Sequence, residues 1–190
     1  MLDQDFQQVR QLIEASLRNP NAYASVVKYY ELRLRRYVRR LLGHHAALVE
    51  DVLQETFIKA YLNLNDYDLT RSFAPWIFRI AHNEAITALR KRKLDPATVD
   101  LESAALILER MTDGRDGLSA LEAKDTAKIV QSAMATLDRR YRDVLVLRFL
   151  EEHSYDQISE ILEIPPGTVA THINRGLKQL QTYLITSGQA

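Results

Sequence analysis

Asp51-Val52-Leu53-Gln54-Glu55-Thr56-Phe57-Ile58-Lys59-Ala60-Tyr61 is followed by a polar loop and then by Trp76-Ile77-Phe78-Arg79-Ile80-Ala81-His82-Asn83. The basic run Arg90-Lys91-Arg92-Lys93 closes the stretch. Val49, Val52, Leu53, Phe57, Ala60 and Tyr61 recur every three to four residues, which predicts a helix from about Ala46 to Leu64 with those side chains inward. Its other face is acidic. After the loop at 65–71, Ser72 is a candidate cap for the next helix, and Pro75 is tolerated in a first turn. That second helix is aromatic and basic, with a lone Asn at 83. An acidic amphipathic helix suits a protein partner, and an aromatic, basic one suits nucleic acid.

Helical spacing extends outward from this stretch. Phe6, Val9, Ile13 and Leu17 predict a first helix, ended by Asn19-Pro20-Asn21. Tyr23, Val26, Val27, Tyr30, Leu34, Tyr37, Val38 and Leu41 predict a second that stops at Gly43. No segment alternates with period two, so the fold class expected is all-α. From 94 to 118 the pattern breaks around Pro96, Gly114 and Gly117, with only the apolar run Leu106-Ile107-Leu108 and a transient helix at 101–111. Ser119 and Glu122 form a capping box that opens the next helix, through Ile129, Val130, Ala133 and Met134. Asp138 starts another, packed by Val144, Leu145, Leu147 and Leu150. The organisation expected is two small helical domains, 1–93 and 119–190, joined by a flexible acidic linker at 94–118.

Net charge is zero, from 25 basic and 25 acidic residues, yet the charges are sorted by segment. Residues 28–40 hold six basic side chains against Glu31, and 71–93 hold six against Glu84. Residues 95–125 hold eight acids against three bases. A hydrophobic fraction of 46% supports packed cores. Without cysteine, disulfides and thiolate metal sites are excluded. The N-terminus lacks the features of a signal peptide, and no apolar run approaches the roughly 20 residues of a membrane helix. A cytoplasmic protein is expected.

Near the C-terminus, Ser154-Tyr155-Asp156-Gln157 is a second capping box, leading a short helix with Ile158, Ile161 and Leu162 inward. Glu163-Ile164-Pro165-Pro166-Gly167 breaks it, and Thr168 starts a last helix with Val169, Ile173, Leu177, Leu180 and Leu184 as its buried stripe. A short helix, a tight turn and a longer helix make a helix-turn-helix, whose second helix enters the major groove. Its solvated face carries Thr168, Thr171, His172, Arg175 and Lys178. Thr and His have the donors and acceptors to meet base edges, and Arg175 and Lys178 suit phosphates. If the turn needs positive φ, Glu163 stands where Gly would be easier.

These stretches resemble the extracytoplasmic-function group of sigma factors in the bacterial sigma-70 family. Glu50 to Tyr61 looks like the core of their region two, and Phe73 to Asn83 like the promoter-facing helix that follows. Leu137 to Phe149, together with Gly167 to Leu180, looks like region four. The resemblance implies a protein that binds core RNA polymerase and directs it to promoter DNA. Asp51, Gln54 and Glu55 would meet the clamp helices of the largest polymerase subunit, and the second domain its flap region. The family reads the minus-ten element as melted single strand. Tyr67 and Asn83 are therefore expected to capture a flipped base, Trp76 and Arg79 to line the same groove, and Arg90, Lys91, Arg92 and Lys93 to hold phosphate. Thr168, Thr171, His172, Arg175 and Lys178 would contact the minus-thirty-five element. The acidic linker would thread the main channel of the polymerase, and an anti-sigma factor is an expected partner. Many relatives carry Asp at the position of Thr87 and Arg at that of His172. Loss of that Arg removes a fixed charge and a bidentate donor.

Two other readings use the same residues. A helix-turn-helix transcriptional repressor or activator would need a dimer seam and paired half-sites, and it leaves Arg90–Lys93 unexplained. A helical enzyme could start from His44, His45, Glu50 and Asp51, but no metal-ligand pair shares a helix face there. No glycine-rich phosphate loop or nucleophile signature is present. The sequence thus predicts no catalytic residue, no metal site and no cofactor.

Overall fold

Val26, Tyr30, Leu34, Tyr37, Val38, Leu41 and Leu42 are buried along one face of α2 (Tyr23–Leu42), and the first unit is assembled on that face. The helix ends at Gly43, whose φ of 51° is open to glycine without a Cβ clash. The computed structural model describes residues 2–43, 45–94, 99–111 and 120–187, all-α with no strand among them. The chain divides after Leu94 into two compact units.

In the first unit α1 (Leu2–Arg18) lays Val9 and Ile13 on α2. The Asn19 side chain accepts from the Asn21 amide at 3.1 Å, which turns the chain at Pro20. Leu17, expected inward, is 38% exposed because it falls in the last turn of α1, beyond the packing stripe. Helix α3 (Val49–Leu62) buries Val49, Val52, Leu53, Phe57 and Ala60, while Tyr61 lies on its rim. Thr56, also buried, donates its hydroxyl to the Val52 carbonyl at 2.6 Å and leaves no polar group unmet. Helix α4 (Phe73–Arg92) covers both with Phe73, Ile77, Phe78, Ala81, Ala85 and Leu89. Ser72 occupies the cap position of α4 but its side chain makes no capping bond. The cause is local: Pro75 stands where the third helical amide would donate, and proline has none.

The second unit begins upstream of the expected boundary. Within the stretch read as a linker, α5 (Leu101–Met111) packs on α6 (Ala120–Thr136), with Ala104, Ile107 and Leu108 buried beside Val99. Positions 104, 107 and 108 make a helical stripe that the apolar run at 106–108 only partly displayed. The Gln131 amide donates to the Val99 carbonyl at 3.0 Å and fixes the entry to α5. Pro96, Gly114, Gly117 and the Ser119 cap lie outside the described residues.

Asp138 caps α7 (Arg139–Leu145) by accepting from the Arg140 amide at 3.1 Å. Buried Arg142 turns back to the end of α6, donating to the carbonyls of Met134 at 3.0 Å and Leu137 at 2.7 Å. A cation at a helix C-terminus meets carbonyls with no helical partner and the negative end of the dipole. A π-helical turn, Val146–Leu150, continues α7. The capping box of α8 (Tyr155–Leu162) is closed in both directions: Ser154 Oγ accepts from the Gln157 amide, and Gln157 Oε1 accepts from the Ser154 amide. Glu163 ends α8 in the left-handed region at φ 55°. Helix α9 (Pro166–Ser187) starts two residues before the expected Thr168, because proline fits the first helical position without losing a hydrogen bond.

Replacing Ile107 by Ala should lower the stability of the second unit by about 2 to 5 kcal/mol. Denaturant unfolding of the full chain followed by unit-specific probes checks this. A change below about 0.5 kcal/mol would show that α5 is not part of the unit's core.

Candidate nucleic-acid and partner interfaces

The inward stripe of α3 dictates what faces out. With Val52, Leu53, Thr56, Phe57 and Ala60 buried, Asp51, Gln54 and Glu55 are exposed together on one side. The same side continues into Ile58, 46% exposed, and Leu62, 69% exposed. Pro20, Tyr23, Val27, Phe57 and Tyr61 join them around a shallow apolar trough. Tyr23 and Tyr61 pack at 5.0 Å between ring centroids, and the Tyr23 hydroxyl donates to the Phe57 carbonyl at 2.9 Å. Burial pushes the Tyr23 hydroxyl pKa well up, so it stays a donor. Sequence reading found the acidic and amide half of this face but not Ile58 and Leu62. Their positions four and eight after Gln54 were the available signal.

Helix α4 packs on α2 through Phe78 and His82, which turns their chain neighbours Arg79 and Asn83 away from that contact. Asn83 is exposed, as are Arg90, Lys91, Arg92 and Lys93; Arg79 and Trp76 are half-buried. Lys93 closes the helix in the left-handed region. Tyr67 is placed differently from the expectation. It is only 9% exposed, packed edge-on to Phe73 at 5.0 Å and against Trp76 at 5.2 Å, with its hydroxyl donating to the Arg71 carbonyl. Tyr67 therefore pins the loop to the helix and leaves little of its ring exposed to a base. Trp76 gives one side to this cluster, which accounts for its partial burial.

A groove between α3 and α4 brings the two kinds of residue together. Asp51 and Glu55 line it opposite Thr87, Lys91 and Arg92. Arg92 approaches Asp51 at 3.8 Å, and Lys59 bridges Glu84 at 2.6 Å and Glu55 at 3.9 Å. The hydrogen bond that Lys59 donates to Glu84 is the main reason its pKa is raised. Thr87 brings no charge to this groove.

In the second unit, α9 carries the expected recognition residues. Thr171, Arg175 and Lys178 are exposed and Thr168 is half-buried. The Thr171 hydroxyl donates to the Gly167 carbonyl at 2.8 Å, which leaves its oxygen lone pairs as an acceptor. Beyond them Gln179, Thr182, Tyr183 and Thr186 extend the polar trough that starts at Arg175 and Lys178. His172 departs from the expectation of a solvated face. Its ring stands edge-on to Tyr141 at 5.4 Å, and Nδ1 is buried without a hydrogen-bond partner. Burial, then the charges of Arg140 and Arg175, lower its pKa and keep it neutral. Gly176 lets α9 come this close to α7: a Cβ there would meet Leu145 Cδ1 at 3.0 Å. His45 bounds a short helical turn before α3, and His44 lies outside the described residues. Among the described residues no cluster of His, Cys, Asp and Glu could hold a metal ion.

A helix-turn-helix with an exposed cationic face, in one chain with a helical unit that has an acidic face and a basic helix, defines a class: helical DNA-binding proteins with a separate surface for protein. Residues 26–94 match sigma-70 region 2, and residues 127–180 match sigma-70 region 4. The chain is 37% identical over 172 residues to the ECF RNA polymerase sigma factor SigW of Bacillus subtilis, covering 86% of this chain and 89% of that one. It is 30% identical to the RNA polymerase sigma-H factor of Pseudomonas aeruginosa, over 97% and 96% of the two chains. Among solved structures, CnrH in complex with the cytosolic domain of CnrY aligns with a TM-score of 0.62 at 25% identity, over 93% and 97% of the two chains. The sigma factor RpoE bound to the anti-sigma factor NepR from Bartonella quintana shares the fold, at a TM-score of 0.59 and 21% identity, over 85% and 96%. This chain belongs to the extracytoplasmic-function sigma factors of the sigma-70 family.

The lowered His172 pKa has a directional consequence. Below the ordinary value of about 6.5 the unfolded chain takes the proton before the folded one, so stability is lost as pH falls through that range. Thermal melts between pH 7.5 and 5 should show a steeper loss for the wild type than for His172→Gln. Parallel profiles would show that the imidazole is not held neutral against Tyr141.

Proposed function

We propose that the chain is an alternative sigma factor, a cytoplasmic protein that binds core RNA polymerase and directs promoter recognition and opening, with the polymerase carrying out all chemistry. The observation that carries the reading is in the first unit: one set of buried contacts sends Asp51, Gln54 and Glu55 outward from α3 and Asn83 with Arg90 outward from α4. The α3 face suits the clamp helices of the largest polymerase subunit, its carboxylates meeting basic side chains and Ile58 and Leu62 supplying apolar area at the centre. Asn83 has the amide to read an unstacked base of the minus-ten strand, while Arg90, Lys91 and Lys93 hold its backbone. The second unit takes the minus-thirty-five duplex on Thr168, Thr171, Arg175 and Lys178 of α9, and the polymerase flap on another of its faces. His172 supports the helix from behind instead of reading DNA directly. CnrH was solved with the cytosolic domain of CnrY and RpoE with the anti-sigma factor NepR, and an anti-sigma partner is proposed for this chain as well.

Transcription by core polymerase from a bacterial promoter library, with and without the protein, tests the reading. New start sites sharing two spaced upstream elements are the expected result. Their absence, with tight duplex binding by the protein alone, would instead identify a regulator that works without being a polymerase subunit.

Two substitutions probe the residue roles. Asn83→Ala should cut discrimination between native and mutated minus-ten strands by roughly tenfold or more while leaving polymerase affinity intact, since one good base contact contributes about 1 to 3 kcal/mol. Unchanged discrimination would remove Asn83 from base readout. Arg175→Ala should weaken duplex binding across sequences and make the salt slope shallower by about 0.9, as loss of one phosphate contact does. A changed base preference would show that Arg175 reads bases.

A further inference from the structure

The basic charge of α2 has no role in the reading above. Six basic residues face one acid between Lys28 and Arg40. Arg35 takes both carboxylates within reach, Glu31 at 2.7 Å and Glu50. Arg39 and Arg40 lie in the last turn, where the helix dipole favours cations. Lys28, Arg33 and Arg36 remain, and none of them has a carboxylate partner among the described residues. Like charges three and four positions apart disfavour a helix, and a face serving only solubility would intersperse both signs. Such a face is complementary to an anion.

Where it lies identifies the anion. Tyr30 meets Phe73 at 5.5 Å, the Arg33 guanidinium sits over the Phe78 ring at 5.5 Å, and the Tyr37 hydroxyl meets His82 Nδ1 at 2.9 Å. Successive positions of α2 thus pair with successive positions of α4, so the two helices run side by side in the same direction. Arg33 lies over the chain neighbour of Arg79, and Arg36 precedes Tyr37, whose partner His82 is the chain neighbour of Asn83. Leu32 is the large apolar residue exposed on this part of α2, too little for the apolar face that lipid or a protein core would require.

We propose that Arg33 and Arg36 form a phosphate track on α2 that grips the backbone of the single strand whose base is taken at Asn83. The track rests on the minus-ten reading of α4 and extends it to a second helix. Arg33, braced on Phe78, sets the near edge of the path; Arg36, exposed and with no ion pair among the described residues, supplies charge. The contact is independent of sequence, so it strengthens strand capture without altering which promoter is chosen.

The test uses holoenzyme reconstituted with the full chain, and a fluorescent single strand carrying the minus-ten element of a promoter mapped by the transcription experiment. Arg36→Gln should reduce the slope of log affinity against log salt by about 0.7, and Arg33→Gln with Arg36→Gln by about 1.4, with roughly tenfold weaker binding for the pair near physiological salt. Base preference and polymerase affinity should stay as in the wild type, and Arg36→Lys should restore the slope. Unchanged slope and affinity in both variants, with Asn83→Ala still losing discrimination in the same assay, would overturn the track and leave the minus-ten reading standing. If Asn83→Ala is silent as well, the minus-ten reading fails. Loss of polymerase affinity in the glutamine variants would overturn the proposal in favour of a protein partner for α2.

Discussion

The rotation of α4 about its own axis is the constraint on which the first unit depends. The Tyr37 hydroxyl and His82 Nδ1 meet at 2.9 Å inside the core, and Phe78 packs against the same tyrosine at 5.1 Å. Helical side chains recur every 100°, so fixing 78 and 82 fixes 79 and 83 one step round the cylinder. A buried polar pair is also selective in a way that apolar contacts are not. Turning α4 by one residue would strand both polar atoms away from water, at a cost of about 1 to 3 kcal/mol for each unsatisfied group. The exposure of Asn83 is thus specified by a bond that Asn83 does not make.

The second unit solves the corresponding problem with a charge and a gap. Arg142, buried at the foot of α7, closes the carbonyl end of α6. Desolvation lowers its pKa, yet its bonds to carbonyls hold it in the charged form that this capping needs. Gly176 is the gap, since its missing Cβ lets α9 settle on Leu145 and Tyr141. With α9 seated there, Val169, Ile173 and Leu180 are buried and Arg175 and Lys178 must point outward. His172, at the edge of that contact, is drawn onto Tyr141.

What the sequence displayed and what it hid follow from the range of the interactions. Helices α2, α3, α8 and α9 were legible because their signals are local: a periodic apolar stripe, a Gly stop at 43, a capping box at 154–157. The strained turn at Glu163 was legible for the same reason. The burial of Tyr67 and His172 was hidden because it comes from packing between elements, and the exposure of Leu17 because it lies beyond the stripe that packs α1. Phe73 and Trp76 close over Tyr67, and Tyr141 meets His172 from another helix. Helix α5 fell between these cases. Its stripe at 104, 107 and 108 includes an alanine, which carries little weight in a hydrophobic count yet is fully buried against α6. The region 4 match spans residues 127–180, so α5 lies ahead of it in the chain.

The balance of charge in the first unit bears on how its surfaces are used. Asp51 and Arg92 lie 3.8 Å apart with side chains 72% and 58% exposed, and Glu55 lies 3.9 Å from half-exposed Lys59. Exposed pairs of this kind contribute at most about 1 kcal/mol, and salt screens them further. Such pairs can exchange partners readily. A polymerase helix that offers Asp51 a desolvated cation, or a phosphate that offers Arg92 a doubly bonded anion, gives each more than the other does. On the proposed function the two surfaces would be coupled in sign, Arg92 being released when Asp51 is occupied, but only by the small energy of that exposed pair. Lys59 and Glu84, at 2.6 Å with Glu84 only 15% exposed, are the firmer pair and hold α3 to α4 while the outer charges trade. A chain with no net charge can in this way present opposite charges to two different polymers, because its folding sorts the signs and its weakest ion pairs lie between them.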